Sequence, residues 1–309
     1  MKTLALLVIL VLHTTGLWSA VPAPSRQNLV SRATGDASQA ALQLSPAPTL
    51  SPINPLPIRV AAGTDTLSLD TAAAIAIDRG TGTVLYAKNV GTRRPIASVT
   101  KLVTAMVILS RHSPSEMVTI PTLPQYPVEA ETIGLVAGDR FTIDDLIEGL
   151  LVPSGNDAAD ALAIIDASSV PKFAARMNAK MTEWGIADTH FASPSGLQDA
   201  GNYTTAAALA KIASLALASP DLAKTVKFIN VSFTSSTGRV YNLKTTNDLL
   251  ASGQFYGIKT GYTLAAGECF VGLTRVNGHE VITVVLGAGS RFEATTTLTN
   301  WIGHNYQWL

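Results

Sequence analysis

Apolar and polar positions divide this chain into segments with different periods. Two β-prone runs, Ala74-Ile-Ala-Ile-Asp-Arg79 and Val84-Leu-Tyr-Ala-Lys88, flank a turn at Gly80-Thr-Gly82 and predict a hairpin. After Pro95, from Ser98 to about Ser110, apolar residues occupy nearly every helical face, as a buried central helix requires. Helical periods follow over 142–151, 156–168, 171–184 and 204–218, the last ending near Pro220. Strand patterns return at 228–235, 239–245, 257–263, 268–276 and 279–287, with the hairpin dipeptide Asn277-Gly278 between the last two. A closing helix is predicted from about Arg291 to the C-terminus. Strands at both ends of a helical middle, joined by hairpin-length connections, describe an α+β fold. Its antiparallel sheet packs on helices, and a helical lobe is inserted in sequence.

The N-terminal part reads differently. Lys2 precedes an unbroken apolar run from Leu4 to Leu12, which His13, Thr14 and Thr15 interrupt before the small residues Ser19 and Ala20. This is the pattern of an export signal over 1–20. The run is too short to span a bilayer, which takes ~20 residues; the other reading is an uncleaved anchor extended through Leu17 and Trp18. Over 21–63, prolines from Pro22 to Pro57 lie among Ala, Ser and Thr with no sustained apolar period, so this stretch is expected to be an extended linker. The folded domain then covers 64–309.

Charged residues make up only 14% of the chain, and Lys+Arg and Asp+Glu balance at 22 each. No net field steers nucleic acid, which is excluded as a partner class. The single cysteine, Cys269, rules out an intramolecular disulfide, a multi-cysteine zinc site and an N-terminal lipid anchor. It reads as a small core residue. Asp144, Asp145 and Glu148 read as first-turn acids and the solvated face of a helix, and no metal or other cofactor is expected.

Three short motifs carry candidate chemistry. In Ser98-Val-Thr-Lys101, residues three apart share a helical face, so hydroxyl and amine can meet at the positive end of the helix. Serine needs a base, and Lys101 can act as one if burial and a second cation lower its pKa. Ser154-Gly-Asn156 opens the helix at 156–168 and can place a second hydroxyl and an amide in a cleft. Lys259-Thr-Gly261 lies on a strand whose glycines permit close approach of a ligand, with Lys259 and Thr260 suited to a carboxylate. A second Ser-x-x-Lys, Ser169-Val-Pro-Lys172, is read as a helix cap, since Pro171 fits a helix start.

The set Ser-x-x-Lys, Ser-x-Asn, Lys-Thr-Gly in this order matches the signature of penicillin-binding proteins and class A β-lactamases. The wording around it resembles the low-molecular-mass D-alanyl-D-alanine carboxypeptidase family of serine peptidases. The matching stretches are Pro95-Ile-Ala-Ser-Val-Thr-Lys101, Leu150-Leu-Val-Pro-Ser-Gly-Asn-Asp-Ala-Ala159, Ser193-Pro-Ser-Gly-Leu197 and Gly257-Ile-Lys-Thr-Gly-Tyr-Thr263. The resemblance implies a serine β-lactamase/DD-peptidase-like fold and removal of the terminal D-Ala from peptidoglycan stem peptides without a metal. It implies Ser98 as the acylated nucleophile, Lys101 as general base, and Ser154 and Asn156 lining the cleft. Lys259 and Thr260 would hold the substrate carboxylate beside Gly261, with backbone N–H groups of Ser98 and Tyr262 as the oxyanion hole. β-Lactams would be covalent inhibitors, and the location extracytoplasmic: periplasm, wall or secreted.

Two departures from the family stand out. Many members carry a second, all-β domain and an amphipathic anchoring helix; with the sequence ending at Leu309, no C-terminal membrane anchor is expected. Several relatives also place a basic residue where Thr246 precedes Asn247. Three alternatives stay open: a β-lactamase, for which no deacylating Glu is recognisable among Glu148, Glu183 and Glu268; a DD-endopeptidase acting on cross-links; and an inactive wall-binding module.

Overall fold

A computed structural model describes residues 54–60, 67–197 and 201–309. The expected export signal at 1–20 and the linker up to residue 53 lie outside them. Along the described chain, β1 (Pro57–Arg59), β2 (Thr71–Asp78) and β3 (Val84–Lys88) lead to a 3-10 turn over Ala97–Thr100 and then α1 (Lys101–Leu109). A small hairpin follows, β4 (Met117–Thr119) with β5 (Arg140–Thr142). The helical lobe comprises α2 (Ile143–Leu151), α3 (Asn156–Ala167), α4 (Val170–Glu183), α5 (Ala206–Ala216) and α6 (Pro220–Thr225). A second hairpin, β6 (Asn230–Thr234) with β7 (Val240–Lys244), precedes β8 (Phe255–Thr263), β9 (Gly267–Val276) and β10 (His279–Ala288). The chain finishes with α7 (Arg291–Asn305) and β11 (Tyr306–Trp308).

The main sheet is antiparallel, with strand order β3-β2-β10-β9-β8. Its centre therefore comes from both ends of the sequence, and β8 is left on one edge. Asn277 and Gly278 both have positive φ, as a two-residue hairpin turn between β9 and β10 requires. β10 buries both of its faces, one under α7 and the other under α5, so it is apolar almost throughout, from Val281 to Leu286.

α1 is the hub between sheet and lobe. Leu102, Val103, Ala105, Val107 and Ile108 are fully buried, and the helix touches α2, α3, α4 and α5. Each fully buried Leu, Val or Ile side chain contributes about 1.5–3 kcal/mol, which makes α1 a rigid mount for its own N-terminus. α2 starts with a capping box in which Thr142 and Asp145 satisfy each other's backbone N–H, as the first-turn acids suggested. α4 starts at the cap Ser169, whose Oγ accepts from Lys172 N.

Four boundaries differ from the sequence expectation. The regular helix begins at Lys101, and Ser98 lies in the 3-10 turn before it. Pro220 begins α6 instead of only ending the helix before it; proline suits the first turn because its missing N–H has no partner there anyway. The closing helix stops at Asn305 and the chain turns into β11. That strand pairs antiparallel with β1, so Pro57–Arg59, inside the stretch read as linker through residue 63, is structured: Ile58 stands opposite Gln307. Among the described residues no helix is long and apolar enough to cross a membrane.

Candidate active site

Four separate segments build one cleft between β8 and the helical lobe. The turn before α1 brings Ser98, half-buried, and α1 itself brings Lys101, which is wholly buried. Lys101 Nζ lies 2.8 Å from Ser98 Oγ. It also donates to Asn156 Oδ1 at 2.7 Å and reaches Ser154 Oγ at 3.4 Å. With its N–H groups directed at those two oxygens, a neutral amine keeps its lone pair for the hydroxyl of Ser98. Burial, and after it the Lys259 cation, hold the Lys101 pKa well below the ordinary lysine value. The expected pairing of a neutral base with a serine is therefore what the geometry favours.

The backbone is strained where the motifs meet. Ala97 (φ 49°) and Ser154 (φ 70°) are both left-handed without being glycine, at a cost on the order of 1 kcal/mol each. Ser154 and Asn156 are buried, and Asn156 begins α3. The neighbouring Asp157 collects the backbone N–H groups of Ile133, Gly134 and Leu135 at 3.0, 2.8 and 3.0 Å, and Asn156 N donates to the Glu131 carbonyl at 2.8 Å. The loop at 131–135 is thereby tied to the first turn of α3.

β8 forms the opposite wall. Lys259 and Thr260 are buried, while Tyr262 is exposed at the strand's end. Lys259 Nζ donates to the Thr260 carbonyl at 3.1 Å, and burial, followed by the Arg291 guanidinium, pushes its pKa down to about 7. A cation this close to losing its proton gains much from a carboxylate partner. Thr260 Oγ1 and Thr246 Oγ1 are 2.6 Å apart, so the residue before Asn247 is tied to the third motif by a hydroxyl pair. Asn247 is buried, with its Oδ1 accepting from Leu249 N.

Two glycines allow these pieces to touch. A Cβ on Gly261 would stand 2.7 Å from the Ile96 carbonyl oxygen and 3.1 Å from Ser98 N, so β8 lies directly against the nucleophile's turn. Gly196, at φ +75°, approaches from the other side; a Cβ there would sit 1.9 Å from the Ala97 carbonyl oxygen. This is the physical role of Ser193-Pro-Ser-Gly-Leu197, whose residues also bond to one another and to Asn202, with the Pro194 carbonyl accepting from Thr104 Oγ1 at 2.6 Å. The main-chain nitrogen of Ser98 lies at the seam where β8 meets the turn.

The structure brings Ser98, Lys101, Ser154 and Asn156 into hydrogen-bond contact and sets Gly261 of β8 against the turn of Ser98, with Lys259, Thr260 and Tyr262 beside it on that strand, whereas Ser169 caps α4. Other readings hold as well: Cys269 is buried in the core opposite Gly261. Sequence reasoning missed two participants. Arg291 donates to the Gly261 carbonyl at 2.8 Å and pairs with Glu268 at 3.2 Å, fixing the end of β8 and engaging an acid weighed as a possible base. Glu131, exposed on the loop tied to α3, is the acid whose field reaches both Lys101 and Lys259. Neither has a sequence signal, because spatial pairing across strands and loops brings them in. Among the described residues no group of three or more His, Cys, Asp or Glu could hold a metal ion.

Comparison with known proteins agrees with this geometry. The family profile described as D-alanyl-D-alanine carboxypeptidase matches residues 60–290. A D-alanyl-D-alanine carboxypeptidase of Streptomyces sp. (strain K15) is 35% identical over 71% of this chain and 82% of its own length. The crystal structure of the Streptomyces K15 DD-transpeptidase superposes with a TM-score of 0.70 at 32% identity, covering 77% of this chain and 99% of that one. D-alanyl-D-alanine carboxypeptidase DacF of Bacillus subtilis is 29% identical over 77% of this chain, which spans 63% of that relative's length. Penicillin-binding protein D2 from Listeria monocytogenes, solved in a cefotaxime-bound form, superposes with a TM-score of 0.67 at 30% identity over 78% of this chain and all of its own. The fold is that of the serine β-lactamase-like DD-peptidases, and the chain belongs to the D-alanyl-D-alanine carboxypeptidase family.

Proposed function

We propose that this protein is a serine-type D-Ala-D-Ala carboxypeptidase that trims peptidoglycan stem peptides through an acyl-enzyme on Ser98. The observation that carries the reading is the buried Lys101 amine 2.8 Å from Ser98 Oγ, with a second lysine in the same cleft. The terminal carboxylate of the peptide docks on Lys259 and Thr260. Ser98 Oγ attacks the carbonyl carbon of the penultimate D-Ala while its proton passes to Lys101 Nζ. The resulting oxyanion accepts from the N–H groups of Ser98 and Tyr262. Collapse breaks the C–N bond, and the departing amine takes the proton back from Lys101 through Ser154, leaving an ester on Ser98. D-Ala then leaves, water attacks the ester by the reverse proton route, and Ser98 is regenerated.

A β-lactam acylates the same oxygen, but its leaving group stays attached and shields the ester. The cefotaxime-bound relative supports β-lactam binding. Glu268 is held by Arg291, and Glu148, though raised to about 6 by burial and then by Asp144 and Asp145, belongs to α2 outside the contacts that define the cleft. The chain acts outside the cytoplasm, on the strength of the export pattern at 1–20. Two measurements on one preparation test the function: D-Ala release from a pentapeptide stem, and the lifetime of the penicilloyl adduct mapped by peptide digestion. Release with a long-lived adduct on Ser98 is expected. Rapid penicillin turnover without D-Ala release would make the protein a β-lactamase, and cross-linked dimers cut faster than pentapeptides would make it an endopeptidase.

A further inference from the structure

The edge of the main sheet farthest from the cleft carries a recess of its own. β3 and β8 are the two outer strands, so four strand spacings, about 19 Å, separate this recess from Lys259-Thr-Gly261. Its volume is about 540 Å3, and β1, β3, α7 and β11 supply Arg59, Tyr86, Lys88, Trp301 and Tyr306 to its walls. None of the described lining residues is acidic. The rings are held in place: Trp301 stands edge-on to Tyr86 at 5.8 Å and to Tyr306 at 6.2 Å. Both tyrosine hydroxyls donate inward, to the carbonyls of Leu67 and Leu85 at 3.3 and 2.8 Å. The Arg59 guanidinium lies 5.3 Å from the centre of the Trp301 ring. Lys88 Nζ donates to the Leu69 carbonyl at 2.7 Å, and an ammonium has further N–H groups to offer. Among the described residues no acid lies within ion-pair distance of Lys88. Two cations beside a fixed aromatic wall suit a ligand with one anionic group and an apolar body.

We infer that this recess binds an acidic sugar unit of a cell-wall glycan, a pyranose ring carrying a carboxylate. The choice of a wall polymer rests on the proposed action on peptidoglycan; the recess itself does not. Its size is that of a small-molecule site, walled by aromatic rings with a few polar groups to fix orientation. The C–H face of a pyranose gains dispersion contacts against such rings, while its hydroxyls stay in water at the rim. The carboxylate accepts from Lys88 and Arg59, and hydrogen bonds between ionised partners are the strong class. A lipid headgroup would offer the cations an anion but give the rings no face to pack on. Distance from the cleft gives the site its use. A polymer held at the β3 edge keeps its neighbouring stem peptides near Ser98 at a raised local concentration, without touching the reaction.

The test is calorimetric binding of four sugars to the full-length protein. N-acetylmuramic acid with N-acetylglucosamine forms one pair and glucuronic acid with glucose the other; only the first of each carries a carboxylate. At least one acid is expected to bind about tenfold or more tightly than its neutral partner, as a charge-assisted hydrogen bond allows. The pair that responds names the source: glycan stripped of its stem peptides, or a uronic-acid polymer. Lys88→Gln should bring that pair within about twofold. Should this variant fail to fold, Ala87→Glu at the exposed rim sets a carboxylate beside Lys88 and should erase the same preference. Enzyme acylated by penicillin should bind the acid as well as free enzyme does; binding lost on acylation would put the sugar in the cleft and overturn the site. No preference in either pair, or one that survives in a folded variant, overturns it too. Binding confined to phosphatidylglycerol vesicles would overturn it in favour of a membrane surface. D-Ala release enters none of these readouts, so a failure of the carboxypeptidase reading shows separately.

Discussion

Two segments of this protein share one spelling, Ser-Val-x-Lys, and come to opposite ends. In Ser98-Val-Thr-Lys101 the lysine is driven into the core by α1, and its amine has no solvent to keep it charged. In Ser169-Val-Pro-Lys172 the serine hydroxyl accepts from the backbone N–H of Lys172, and the lysine side chain lies in solvent. Spacing is the same in both. What separates them is burial and a second cation: Lys259 acts on the buried Lys101, while Lys172 is exposed. A Ser-x-x-Lys pair becomes reactive through its surroundings, which three distant segments supply.

The largest expected contrast is in labelling. Ser98→Ala should give no covalent adduct with a fluorescent penicillin, whereas Ser169→Ala should label to the wild-type extent; gel fluorescence and adduct mapping read both. Next comes the base. Lys101→Arg keeps a charge but cannot deprotonate, so the acylation rate should fall by about 10²–10⁴-fold, while Lys172→Arg should leave it unchanged. A rate in Lys101→Arg close to that of wild type removes Lys101 from the mechanism.

A subtler experiment probes the second cation. Lys101 works when neutral, so acylation rises with pH as it loses its proton. Burial and then Lys259 hold its pKa down, and Lys259→Gln removes the second influence. The pKa of Lys101 should rise, and the midpoint of the acid limb should move to higher pH whatever happens to the plateau rate. A midpoint that stays in place, or moves down, breaks the electrostatic link between the two lysines. Smallest of all, Ser169→Ala removes a helix cap whose hydrogen bond is long, at 3.4 Å. Its cost should sit near the low end of the usual ~0.5–2 kcal/mol, a melting shift of about 1–3 °C by calorimetry.

Most of the architecture is legible in the sequence because its main elements are long enough to show a period. α1 is apolar on all sides, and β9 and β10 bracket an unmistakable Asn-Gly turn. The meeting of Ser98, Lys101, Ser154 and Asn156 is legible for a different reason: each sits in a short motif whose spacing has chemical meaning. Three-residue strands have no period, so the pairing of β1 with β11 across the whole domain stays hidden. α6 is hidden because proline is as suitable for starting a helix as for following one. Glu131 and Arg291 are hidden because their significance lies in neighbours distant along the chain: Lys101 and Lys259 for one, Gly261 and Glu268 for the other.

The glycine contacts around Ser98 also bear on the order in which the molecule is made. The turn at Ile96–Ser98 leaves the ribosome long before Gly196, and Gly261 comes later still. Both must press against that turn before its carbonyls and amides take their final places. Pairings between such distant segments form late, because a long loop must close before they repay its entropy. A nascent or truncated chain lacking β8 therefore holds the serine and its lysine without a finished pocket around them. Reactivity should then switch on near the end of folding, and penicillin labelling should serve as a clock for the last step of assembly.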